Sequence, residues 1–148
     1  KFVPKKNIDG LPSFPDHLDN NEKPNGKHPF KLITPPARHF LNSSFANTNT
    51  SLQREQAPKL LINPKDAKKH KITCGSAVII FNERGEIDLT AEYEPSLSEG
   101  LLVAESIWHN SNFKNNLGIN VLTSSKPIGV DGGVPFHDIK VGIKLDND

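Results

Sequence analysis

Methionine is absent from the 148 residues, and cysteine, tryptophan and tyrosine occur once each. A single cysteine, Cys74, excludes an internal disulfide framework and suits a reducing compartment. A chain that starts at Lys1 with no methionine reads as a piece of a larger polypeptide, so the chemistry is expected to extend beyond it. No charge of one sign dominates. The 18 basic and 17 acidic residues leave a net charge of +1, which excludes the global field that draws proteins to nucleic acid or to anionic membranes. There is no apolar run of membrane-spanning length and no charged-then-apolar leader segment. Any partner must therefore be recognised locally.

What the chain does contain is enough apolar residue for one ordinary domain. Residues 1–28 carry prolines at 4, 12, 15 and 24 and few large apolar groups, so they read as a linker or arm, with Phe2, Leu11, Phe14 and Leu18 as candidate anchors. The ordered domain is expected over 29–148. Its pattern is one of short strands: Phe30 to Thr34, Lys59 to Ile62, Ser76 to Asn82, Glu86 to Tyr93, Gly100 to Glu105 and Phe136 to Leu145. Asn63-Pro64 predicts a small, exposed helix capped by Asn63 over Lys65 to His70. The turn Glu83-Arg84-Gly85 predicts a hairpin, with glycine at positive φ. Residues 106–131 are rich in asparagine and poor in strand pattern, as in a connection with work to do. The sum is a mainly β domain: a small closed barrel of mixed strand direction, with one or two short helices and long loops.

The polar groups concentrate after the first strand, in LITPPARHFLNSSF. Leu32 and Ile33 anchor the segment, Pro35 and Pro36 end the strand, and hydroxyl, guanidinium, imidazole and amide groups follow at once. Three further blocks keep this order: NPKDAKKHKITCGSAVIIFNERGEIDLTAEYEPSLSEGLLVAE, NVLTSS and GGVPFHDIKV. Together they resemble the C-terminal cofactor-binding domain of the molybdopterin oxidoreductases, the family of formate dehydrogenase, nitrate reductase and DMSO reductase. The resemblance runs from about Pro29 to Ile143. Where the family ends its helix with glycine and isoleucine and continues with Gly-Asp, this chain has Lys71-Ile72 and Gly75-Ser76.

The resemblance implies a six-stranded double-psi β-barrel that binds molybdopterin guanine dinucleotide. It further implies a C-terminal domain of a bacterial or archaeal enzyme, whose molybdenum or tungsten centre is served by upstream domains of the same polypeptide. Thr34, Ser43 and Ser44 suit phosphate or ribose, Arg38 a phosphate or a ring face, and His39 and Asn42 the pterin edge. A plain polar surface loop is the alternative for this segment. Asn120, with Thr123 beside it, matches the family's pterin-facing asparagine; a turn-forming asparagine is the other reading. Trp108 stands either as a pocket wall or as core. His137 occupies the place of a lysine, so a fixed charge there becomes a titratable one.

No catalytic residue and no metal ligand is expected here. His39, His109, His137 and Cys74 lack ligand spacing, Cys74 reads as a small packed residue, and any iron–sulfur cluster belongs upstream. The isolated chain is expected to be inactive, its parent enzyme cytoplasmic or periplasmic, and a membrane span absent. The competing class is a small barrel module for nucleic acid or protein, prompted by Lys65, Lys68, Lys69, His70 and Lys71; Asp66 interrupts that cluster and no aromatic pair accompanies it.

Overall fold

The computed structural model describes residues 3, 14, 22–42, 44–126, 133–137 and 139–146. Strict alternation produces the strands. In Glu86–Tyr93 (β4) the side chains of Ile87, Leu89 and Ala91 are buried while those between them are not, the period-2 pattern of a sheet with one wet face. The same holds for Phe30–Ile33 (β1), Lys59–Ile62 (β2) and Ala77–Phe81 (β3). Leu101–Val103 (β5) is shorter, and Ile139–Leu145 (β6) closes the described chain. The strands form a closed barrel in the order β1-β5-β2-β4-β3-β6. Two neighbour pairs, β1 with β5 and β2 with β4, are parallel; the rest are antiparallel. Leu32, Leu60, Ile62, Val78, Ile80, Leu102 and Val141 fill the interior with no exposed surface.

This pairing sorts the connections between two ends. Because β1 and β5 run together and β6 runs against β1, the exits of β1 and β5 and the entrance of β6 share one end. The β3–β4 hairpin tip lies at that end too, since β3 runs against β6 with Phe81 opposite Gly142. The other end carries the helix Pro64–Lys69 (α2). Asn63 caps it by accepting the Lys65 amide at 2.8 Å, with Pro64 in the first turn, as the local sequence predicts.

Several expectations are corrected. Helix α2 is not simply exposed: Ala67 and Asp66 are buried, and the Asp66 carboxylate accepts the Gly100 amide at 2.6 Å, tying the helix to the entrance of β5. Gly85 is not at positive φ. Its missing side chain makes room instead, because a Cβ there would lie 2.6 Å from Cγ2 of Val121. Cys74 is exposed rather than packed. Lys71, where the family pattern has glycine, takes φ 58°. A further helix, Asn49–Glu55 (α1), lacks a clear sequence signal, since Leu52 is its only sizeable apolar residue.

Residues 22–28 lie on the barrel. His28 is buried with its ring edge-on to Phe81 at 5.8 Å, and Glu22 receives both terminal nitrogens of Arg84 at 2.7 and 3.0 Å. Phe14 is exposed, while Phe2, Leu11 and Leu18 lie outside the described residues.

Candidate functional site

At the end shared by the exits of β1 and β5, the two strands remain joined beyond their last ladder positions. Ala104 donates its amide to the Ile33 carbonyl at 3.1 Å, and Ser106 donates to Pro35 at 2.7 Å. The loops after β1 and β5 therefore leave side by side. Thr34 then bridges to the entrance of β6. Its hydroxyl donates to the Phe136 carbonyl at 3.2 Å, and its amide donates to Nδ1 of His137 at 3.4 Å. With Nδ1 turned to the Thr34 amide, Nε2 is the ring nitrogen left for another partner.

Further along, Leu41 and Ser44 exchange backbone hydrogen bonds, and Asn42 takes φ 50°, a conformation asparagine tolerates well. From the opposite side comes a 3₁₀ turn, Ile119–Leu122. Its apolar residues Ile119 and Leu122 are buried in the core, and Asn120 is left at the surface.

These segments border an open cavity of about 630 Å³. Thr34, Asn42, Asn120, Thr123 and His137 all line it, so these sequence-predicted residues converge from loops far apart in the chain. Ser124 and Ser125, which follow Thr123 directly, add two hydroxyls, and Leu41, Ile107, Val134 and Phe136 add apolar surface. Among the described residues lining the cavity there is no Lys, Arg, Asp or Glu. The side-chain amides of Asn42 and Asn120 make no hydrogen bond to another described residue. An open donor and acceptor pair beside hydroxyls and apolar walls suits the edge and face of a flat heterocycle.

Other candidates stand elsewhere. Arg38 is exposed and is not part of the lining. His39 is held by α1: a single Glu55 oxygen accepts both its amide and its Nδ1 at 2.8 Å. Trp108 is buried and meets Phe40 edge-on at 4.9 Å, which is a core contact. Its outer edge also helps line a second, larger depression of about 740 Å³ beside His109 and Asn110. The smaller cavity is preferred as the site because the predicted residues converge there. Ser43 lies outside the described residues. Ser124 and Ser125 were within reach of sequence reasoning as neighbours of Thr123; the apolar rim carried no signal. No group of three or more His, Cys, Asp or Glu among the described residues is placed to hold a metal ion, and no helix among them is long and apolar enough to cross a membrane.

The family described as "Molydopterin dinucleotide binding domain" matches residues 30–140. The chain is 36% identical over 146 residues to a probable oxidoreductase, YoaE, of Bacillus subtilis, covering 97% of this chain and 21% of that protein. It is 31% identical over 135 residues to dimethyl sulfoxide reductase DmsA of Escherichia coli, covering 88% of this chain and 16% of that protein. The chain thus spans about a fifth or less of the length of these relatives. In fold it is similar to acetylene hydratase from Pelobacter acetylenicus, with a TM-score of 0.64 at 14% identity, over 79% of this chain and 18% of that one.

Proposed function

The chain belongs to the molybdopterin dinucleotide-binding domain family, and from that premise we propose that the cavity between the β1 exit and the Ile119–Leu122 turn receives part of molybdopterin guanine dinucleotide. The observation that carries this reading is the convergence of Thr34, Asn42, Asn120, Thr123 and His137 on one cavity. The donor set fits. Asn120 and Asn42 offer paired donors and acceptors to a heterocycle edge, the hydroxyls of Thr34, Thr123, Ser124 and Ser125 suit ribose or phosphate oxygens, and Phe136 and Ile107 supply an apolar flank. Among the described residues the lining carries no Lys, Arg, Asp or Glu, which favours the flat, neutral parts of the cofactor over its pyrophosphate; that is left to residues such as Arg38 and Ser43.

When bound, the cofactor supplies redox chemistry at molybdenum or tungsten. This chain's residues bind and orient it, and none of them is assigned a catalytic role. The domain is read as 29–148 preceded by an arm at 1–28, with substrate-facing residues and any iron–sulfur cluster on upstream parts of a bacterial enzyme, cytoplasmic or periplasmic. The isolated chain is expected to be inactive.

Replacing Asn120 with alanine tests the reading. Removal of its hydrogen bonds to a bound ligand typically costs about 1–3 kcal/mol, so affinity for the guanine dinucleotide should fall roughly five- to 150-fold, read as less guanine nucleotide per chain. The thermal midpoint should hold, because Asn120 fills no part of the core. Unchanged nucleotide content would remove the cavity as the site.

A further inference from the structure

The 3₁₀ turn that presents Asn120 and Thr123 has little of its own to keep its shape. At its two ends, backbone bonds run from the Val121 amide to Gly118 and from the Thr123 amide to Asn120, both at 3.0 Å. Short 3₁₀ segments are weak in isolation, so the orientation of this turn must come from what it rests on.

It rests on the β3–β4 hairpin tip. The Leu122 carbonyl accepts from Nδ2 of Asn82 and from Nε of Arg84, each at 2.8 Å, which occupies both of its lone pairs. Val121 packs over Gly85, where any Cβ would collide with it. The two donors are themselves fixed. Asn82 accepts the Arg84 amide through Oδ1 at 2.9 Å, and the terminal nitrogens of Arg84 are held in a two-point pair by Glu22. Glu22 also accepts the Lys140 amide at 3.1 Å, so the chain of contacts is moored to β6.

We infer that Arg84, assisted by Asn82 and locked by Glu22, is a positioning residue for the cofactor. It orients Asn120 and Thr123 without being among the residues that line the cavity. The inference rests on the reading of Asn120 as a cofactor contact. The guanidinium's role is geometric: Nε serves the turn while the other two nitrogens serve Glu22, a division that a lysine ammonium cannot reproduce.

The test uses the holoenzyme containing this chain, in Arg84→Ala, Arg84→Lys, Glu22→Gln and Asn120→Ala forms. Guanosine monophosphate released by acid is measured per chain, and amide exchange is followed in peptides spanning 118–123 and in the β3–β4 strands of the cofactor-free protein. Arg84→Ala should lower nucleotide affinity about two- to thirty-fold, the range seen when a residue acts through a neighbour. Exchange should quicken in 118–123 while β3 and β4 stay protected. Arg84→Lys should behave like the alanine form, and Glu22→Gln should move both readouts the same way by less. If Arg84→Ala does not fold, the Glu22→Gln form decides. Rescue of nucleotide content by lysine would mean that the charge matters and the fork does not, which overturns the inference. So would unchanged exchange in 118–123, or equal acceleration in every strand. Loss of nucleotide in Asn120→Ala with full retention in Arg84→Ala would sink the positioning role alone, whereas retention in Asn120→Ala would sink the cofactor reading beneath it.

Discussion

Asp66 buries a carboxylate on α2, and both of its oxygens are engaged. One accepts the Gly100 amide, the other the Lys69 ammonium at 3.1 Å. Asp66→Ala removes an anchor across two elements and strands the Gly100 amide, a loss of about 1–3 kcal/mol that a shift in the urea midpoint should report. Glu22 is a pH-dependent counterpart at the opposite end. Burial opposes its ionisation, but hydrogen bonds from Arg84 and the Lys140 amide, with the Arg84 charge, outweigh it and hold the carboxyl below the ordinary glutamate value. Its contribution to stability is therefore complete above that ordinary value and is lost as pH falls through the lower, folded-state value. Glu22→Gln should flatten the acid limb of a stability-against-pH profile by lowering its neutral plateau, and leave the most acidic region, where Glu22 is already protonated, less changed. Legibility divides along the same line. Asn63-Pro64 announced its helix because a cap bonds two residues away, and Asp66, a few positions later, looked only like a break in a basic run because its partner is Gly100.

Among the elements, the β3–β4 hairpin was the plainest in the sequence, and its register runs from Ala77 opposite Thr90 to Phe81 opposite Glu86. Helix α1 was not legible. It survives on context: Ser51 is buried with its hydroxyl on the His39 carbonyl at 2.9 Å, and Glu55 holds the amide and ring of His39. Glu55→Ala should free the loop around His39 while sparing the barrel, so limited proteolysis should quicken in 38–45 with little change in the global midpoint. On the strands, Gly142 is matched to its neighbour across the ladder, because a Cβ there would lie 2.5 Å from Cζ of Phe81. Gly142→Ala forces the Phe81 ring off its seat, against which His28 also rests. Overpacking of this kind costs about 1–3 kcal/mol, measurable by calorimetry.

At the scale of the molecule, closure leaves no edge strand among the described residues, and every strand pairs on both sides. Amide exchange in all six strands should therefore report one cooperative opening; a separately exchanging half would contradict a closed barrel. Strand number and a mixed barrel were readable from alternation and turns. The order β1-β5-β2 was not, because a parallel pair between strands far apart in the chain leaves no local mark. That order also separates the basic cluster from the cavity. Lys65 and Lys69 sit on α2 at the opposite end and both pair with Glu99, at 3.0 and 2.9 Å, which removes much of the appeal of a nucleic-acid module. The side-by-side exits of β1 and β5 have a consequence for how such a protein can diversify. Their loops are rooted on the rigid ring and return to that same end, so each can lengthen, shorten or exchange residues without the barrel having to be redesigned. A lineage can thus keep one scaffold and retune its grip on a ligand through insertions alone, and the same freedom makes the segments 34–58 and 104–138 the natural places to engineer.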